Sequence, residues 1–333
     1  MAVRSGKLDR VTPSLPQRRI GDRTVSAVGL GCMPLSNGRM GDRRDEAVGV
    51  IHAALDAGVT LLDTANIYAP SWDAVGHNEA LTAQALRSWA ASSEDRDRVL
   101  LTTKGGITRS PGERWGRDGT PDGLRRACET SLRTLETDVI DLYQLHRFDP
   151  AVPVADQIGA MAQLQQDGLV RMIGVSNVIG PELDVAFEVA GRPSQPGTPD
   201  AGRGIVSVQN EFSPRFRADA DVMATCAGAG VAFLPWSPLG GAAQASEVGS
   251  HYAVLGDIAA SHDASPQQAV LAWLLARSPS VIPIPGSTRV QTVLSSVAAA
   301  SLTLSADEVA AIEATQSEPS SMYPDDQPRP PLR

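Results

Sequence analysis

Asp141-Leu142-Tyr143-Gln144-Leu145-His146 reads as a short buried strand that ends on an ionisable residue, and Leu101-Thr102-Thr103-Lys104 upstream has the same form. Leu61-Leu62-Asp63 makes a third. Around them, apolar runs rich in β-branched residues at 59–63, 99–103, 139–145, 172–175, 205–208, 231–235 and 281–284 alternate with longer segments of helical period, the pattern of repeated βα units. Helix starts separate them: Thr120-Pro121 before 122–135, Ser265-Pro266 before 267–277, and Ser305 with Glu308 as a capping box. The pattern predicts an α/β fold, a (β/α)8 TIM barrel. Residues 18–31, two alternating stretches around Gly21-Asp22, form an N-terminal β-hairpin cap, and 305–315 an extra C-terminal helix. With the first unit counted at 45–63, the eighth strand falls near 296–299. An open doubly wound sheet is the weaker rival. The expected organisation is an N-terminal tail at 1–17, one barrel domain at 18–316, and a tail at 317–333 that is flexible or covers the active-site mouth. Residues 191–204, rich in Gly and Pro, read as a surface loop.

The 333 residues, 42% hydrophobic and 20% charged, suffice for a large core. A net charge of -9 argues against binding nucleic acid or acidic lipid surfaces. Cys32, Cys128 and Cys226 are odd in number and far apart, so neither a disulfide framework nor a metal site is written here. Reduced thiols, no secretory leader and no membrane span point to a cytoplasmic protein. No interface motif is legible, which leaves the oligomeric state open.

In a barrel of this type, catalytic groups stand at the carboxyl ends of strands. Asp63, Lys104 and His146 occupy such ends, and Tyr68 follows Asp63 in the next loop. Together they suit proton transfer to an oxygen: Tyr68 as donor, an ammonium at Lys104 favouring the ionised phenol, Asp63 holding Lys104, and His146 hydrogen-bonding a carbonyl. Singly, each has an ordinary reading as a cap, a solvated lysine or a half-buried aromatic. Four at correlated strand ends are harder to dismiss.

Leu62-Asp63-Thr64-Ala65-Asn66-Ile67-Tyr68, Thr103-Lys104, Asp141 to His146 and Ile173-Gly174-Val175-Ser176-Asn177 resemble the signatures of the aldo-keto reductase superfamily, in the family's order and over nearly the whole chain. The wording around Leu145-His146-Arg147-Phe148-Asp149-Pro150 is more similar to bacterial and fungal members near the potassium-channel β-subunit branch. The resemblance implies an oxidoreductase that reduces an aldehyde or ketone with NADPH through a tetrad of Asp63, Tyr68, Lys104 and His146. It further implies that Ser176, Asn177 and Gln209 contact the nicotinamide and Trp236 stacks on it. Ser237, Pro238 and Leu239 would lie beneath the pyrophosphate, and Gly286, Ser287, Thr288 and Arg289 at the adenosine phosphate. Gly31, Cys32 and Met33 would border the nicotinamide, with Cys32 a packing thiol rather than a nucleophile. Relatives often continue with an Arg and an Asn where this chain has Thr292 and Ser296, which leaves NADPH favoured over NADH on Arg289. Val28-Gly29-Leu30-Gly31 is not a dinucleotide fingerprint, since it lacks a third glycine and a following helix.

Loops would select the small-molecule carbonyl substrate: Trp72 and His77 in 69–78, Trp115 in 105–119, Phe216 in 213–217, and Tyr323 in the tail. The same residues could instead pack the barrel rim or another subunit. Two other functions compete, an NADPH-binding regulatory or scaffold subunit with little turnover and a Schiff-base aldolase using Lys104.

Overall fold

The computed structural model describes residues 15–194, 197–198, 200–324 and 328–333, so most of the expected N-terminal tail, residues 1–14, lies outside the described residues. Eleven strands are present among them: β1 (Gln17–Ile20), β2 (Arg23–Ser26), β3 (Leu30–Gly31), β4 (Leu61–Asp63), β5 (Leu100–Gly105), β6 (Ile107–Ser110), β7 (Arg114–Arg117), β8 (Ile140–Leu145), β9 (Val170–Ser176), β10 (Ile205–Gln209) and β11 (Ala232–Phe233). Seven of these form one sheet in the order β11-β10-β9-β8-β5-β4-β3, and every pairing in it is parallel. Residues 281–284 close it. They bridge Val281 to Phe233 on β11, and Gly286 just beyond bridges Gly31 on β3. A helix follows each of the eight, from Arg44–Asp56 after β3 to Val290–Ala298 after the closing segment, which completes the (β/α)8 barrel.

The count differs from the sequence reading at both ends. The hairpin is only β1 and β2, while Leu30–Gly31 is the first barrel strand. Residues 296–299, expected as the eighth strand, fall in and just after the helix Val290–Ala298, and 281–284 take that place. The strand expected at 281–284 is thus present, as the eighth rather than the seventh, and Pro283 and Pro285 thin its ladder to β3. Their carbonyls accept from the N–H groups of Gly29 and Gly31, at 2.9 and 3.1 Å, but neither proline can donate in return. Gly31 cannot carry a side chain at this seam, because a Cβ would stand 2.8 Å from the Ile284 carbonyl.

Two cores result. Helices pack on the outer faces of the strands through one large cluster, in which Phe212 stacks on Trp273 with centroids 5.9 Å apart. Inside the barrel, Leu61, Leu100, Leu142, Met172, Leu234 and Ile282 meet Ile20 and Val25 of the hairpin, which plugs the amino-terminal end. Strand side chains alternate, so residues two or four further along point inward at the opposite rim. Those residues are Asp63, Lys104, His146, Ser176, Trp236 and Gly286.

The capping signals hold as read. Thr120 and Ser265 accept helix N–H groups, and Ser305 with Glu308 forms the capping box of Ala306–Glu313. No helix among the described residues is long and apolar enough to cross a membrane, and no group of three or more His, Cys, Asp or Glu there could hold a metal ion.

Candidate active site

At the carboxyl end of the barrel, Lys104 is wholly buried and its ammonium lies 2.9 and 2.8 Å from the two Asp63 carboxylate oxygens. It also donates to the Thr64 carbonyl at 2.8 Å and approaches the Tyr68 hydroxyl at 3.5 Å. Burial alone would lower the Lys104 ammonium, but the Asp63 carboxylate and Tyr68 outweigh it, and Lys104 is held above its ordinary value. The amine is therefore charged, which opposes a Schiff-base role.

Tyr68 lies in the loop after β4, and burial raises its phenol above the ordinary value, with Lys104 opposing that shift incompletely. The sequence reading expected the ammonium to dominate; in the structure, desolvation does. His146 follows β8, and its ring meets Tyr68 edge-on with centroids 5.6 Å apart. Burial, then the charges of Lys104 and Arg147, hold this imidazole well below its usual value, so it is neutral at neutral pH. Its Nδ1 is buried without a protein partner.

Gln209 enters through an irregularity. The β9–β10 register shifts between Ile205 and Ser207, so Ile205 and Val208 face the helices while Gln209 turns inward. Its amide donates to Asp63 Oδ1 at 2.8 Å, a contact not anticipated from sequence. Ser176 donates to the Gln209 carbonyl at 2.6 Å. Asn177 donates to the His146 carbonyl at 3.0 Å and accepts from the Trp236 indole at 3.2 Å. The Asn177 side chain is thus held by protein groups at the edge of the site's cavity.

One cavity of about 550 Å³ opens above these groups. Asp63, Tyr68 and His146 line it, as do Gly31, Met33, Ser176, Asn177, Gln209, Trp236, Ser237, Pro238, Leu239 and Gly286. Trp115 alone of the four loop residues proposed for substrate reaches it, from the β6–β7 hairpin. Trp72 is exposed elsewhere, His77 bonds Ser36 at 2.8 Å, and Phe216 is buried away from the cavity. Cys32 is also outside: its side chain is fully buried and burial pushes its thiol up to about 12. Ser287, Thr288 and Arg289 stand past the cavity at the start of Val290–Ala298, and Arg289 is exposed with no carboxylate against it among the described residues.

Tail residues crown the mouth. Tyr323 lines the cavity, its ring 5.8 Å from that of Trp236, and Arg147 donates to its carbonyl at 2.9 Å. Glu211 accepts from Ser321 and from the Met322 N–H, and Pro331 accepts the Val154 N–H at the start of Val154–Gln166.

Residues 27–317 match the profile of the Aldo/keto reductase family. The chain is 33% identical to pyridoxine 4-dehydrogenase of Escherichia coli K12, covering 88% of this chain and 96% of that one. It is 31% identical to the aldo-keto reductase str7 of Strobilurus tenacellus, over 90% and 91% of the two chains. Among solved structures, an aldo-keto reductase from Klebsiella pneumoniae in complex with NADPH superposes with a TM-score of 0.72 at 26% identity, covering 90% of this chain and 94% of the other. A buried Asp63–Lys104 pair beneath Tyr68 and His146, at the mouth of a barrel matched over nearly its whole length, belongs to a member of the aldo/keto reductase family.

Proposed function

We propose that this chain is an NADP-dependent aldo/keto reductase, an alcohol:NADP+ oxidoreductase that reduces a carbonyl compound to an alcohol. The observation that carries the reading is the Tyr68 phenol lining the cavity, 3.5 Å from the wholly buried Lys104 ammonium and edge-on to His146. A carbonyl oxygen lodged between Tyr68 and His146 receives a hydrogen bond from each as negative charge develops on it. Tyr68 then gives up its proton, and Lys104 stabilises the phenolate that remains. Asp63 keeps Lys104 charged and aimed, and Gln209 fixes Asp63 in turn.

The hydride would come from bound NADPH, with which a related aldo-keto reductase of Klebsiella pneumoniae is in complex. The cavity fits its nicotinamide end, being within the roughly 300–1,000 Å³ usual for cofactor sites and floored by Gln209 and Trp236. Ser237, in a left-handed conformation at φ 47°, turns the chain along the cavity rim towards Leu239. Arg289, at the start of a helix and with no carboxylate against it among the described residues, suits a 2′-phosphate, which favours NADPH over NADH. Small flat aldehydes related to pyridoxal are apt first substrates, given the similarity to pyridoxine 4-dehydrogenase.

The test is titration of the protein's fluorescence with NADPH and NADH, then NADPH oxidation with a panel of aldehydes and ketones. Binding with turnover, and its near loss in Tyr68→Phe at unchanged NADPH affinity, is expected. Binding without turnover favours a regulatory subunit instead, and wild-type rates in Tyr68→Phe remove Tyr68 from the chemistry.

A further inference from the structure

The phenol of Tyr68 is placed by a loop, and its own local bonds are few. Its N–H donates to the Ala65 carbonyl at 3.2 Å, and its carbonyl accepts from the Asn78 N–H at 3.0 Å. The carbonyls on either side, those of Ile67 and Ala69, are both taken by one guanidinium nitrogen, Arg109 Nη1, at 3.2 and 2.8 Å. Arg109 comes from β6, in the hairpin that follows β5 and therefore from the next βα unit. It faces Trp115 of β7 across the hairpin ladder, with the guanidinium carbon 4.7 Å from the indole centroid. The second terminal nitrogen pairs with Glu113, whose other oxygen accepts the Trp72 N–H at 3.0 Å.

We propose that Arg109 is a positioning residue for the reaction, holding the Tyr68 segment from behind and joining it to the Trp115 wall of the cavity. The inference rests on the reading of Tyr68 as proton donor. A hairpin staple would need only the Arg109–Glu113 pair, which lies within the hairpin and could remain at the surface. Instead the Arg109 side chain is 7% exposed, and its Nε is buried without an acceptor. A buried, incompletely satisfied guanidinium costs stability, and such arrangements persist where they hold a geometry. The geometry held is a sensitive one, since Tyr68 meets Lys104 at 3.5 Å, the outer limit of a hydrogen bond. Displacement by about 1 Å at such a site can cost about a hundredfold in rate. Only the planar fork of arginine can span two carbonyls and a carboxylate while stacking on an indole.

Arg109→Gln and Arg109→Lys in the full chain test this, using NADPH and propanal, which is too small to lean on Trp115. In Arg109→Gln, kcat should fall about tenfold or more while KM for propanal and Kd for NADPH stay within about twofold. The solvent deuterium isotope effect on kcat should rise, because proton transfer from a misplaced phenol becomes more limiting. Arg109→Lys should not restore the rate. In protein carrying tyrosine labelled with 13C at Cζ, the Tyr68 signal, assigned by its loss in Tyr68→Phe, should move in both variants. Wild-type kcat and isotope effect in both, or an unmoved Tyr68 signal, overturns the proposal while leaving the reductase reading intact. Failure of that reading shows separately, as wild-type turnover in Tyr68→Phe, and removes the proposal with it. If Arg109→Gln does not fold, Arg109→Lys, which keeps the charge, carries the same readouts.

Discussion

Replacing Asp63 by Asn should unbalance the barrel in a way that pH reveals. Lys104 is fully buried with its ammonium 2.8 Å from Asp63 Oδ2, and at an effective dielectric of about 20 the gross attraction is about 6 kcal/mol. Part of this survives in the variant, because an Asn oxygen and the Thr64 carbonyl still accept from the amine. The expected net loss of stability is about 3–5 kcal/mol, the usual cost of removing one partner from a buried pair. The pH slope is the sharper signature. In the wild type, Lys104 is raised, so its contribution is complete below the unfolded value and is lost only as pH climbs through the folded one. In Asp63→Asn, burial acts without the carboxylate and pushes Lys104 down. The unfolded chain then binds the extra proton below about pH 10.4, and stability rises with pH by up to about 1.4 kcal/mol per unit. Urea unfolding at several values from pH 6 to 9 reads both effects. Asp63→Asn combined with Lys104→Met should recover most of the stability and none of the activity. A single variant within about 1 kcal/mol of wild type, flat across this range, would refute the account of a buried, mutually sustained pair.

Glu79→Gln should flatten a different pH dependence. Burial, opposed by the hydrogen bond from Thr103, raises Glu79 to about 7, so the folded chain takes up a proton between about 4.5 and 7 and wild-type stability falls by roughly 3 kcal/mol across that window; urea titrations at pH 4.5 and 7 should show the difference shrink in the variant. Arg289→Ala should weaken NADPH at least tenfold more than NADH in fluorescence titrations, and equal losses would argue against a 2′-phosphate contact.

Much of this site was legible because barrel chemistry leaves a local trace. Asp63, Lys104 and His146 each end an apolar run, and strand alternation turns all three to the interior, so short strings sufficed to find them. The first barrel strand left almost none. Leu30–Gly31 is two residues long and follows a hairpin without a helix between, whereas 281–284 was legible as an apolar run but not as the closing strand, since Pro283 within it and Pro285 just beyond cannot donate to a ladder. Leu30–Gly31 does not resemble a strand until its neighbours are in place. The hairpin Ile107–Ser110 with Arg114–Arg117 was read as loop for a related reason: its burial pattern is mixed, so no period marks it.

What could not be read is the support of the chemistry rather than the chemistry itself. Gln209 was recognisable as a polar residue after an apolar strand, but its grip on Asp63 depends on a register shift that flips one strand face, and composition carries no sign of that. Cys32 and Met33 are adjacent, yet Met33 lines the cavity and Cys32 faces the core, a difference set by one turn of backbone after β3. Arg109 reaches the Tyr68 segment through the Ile67 and Ala69 carbonyls, and backbone acceptors are the same in every sequence. The residues that react must be of particular types, which makes them visible in a string. Those that aim them need only a donor in the right place, and that place exists only once the chain has folded.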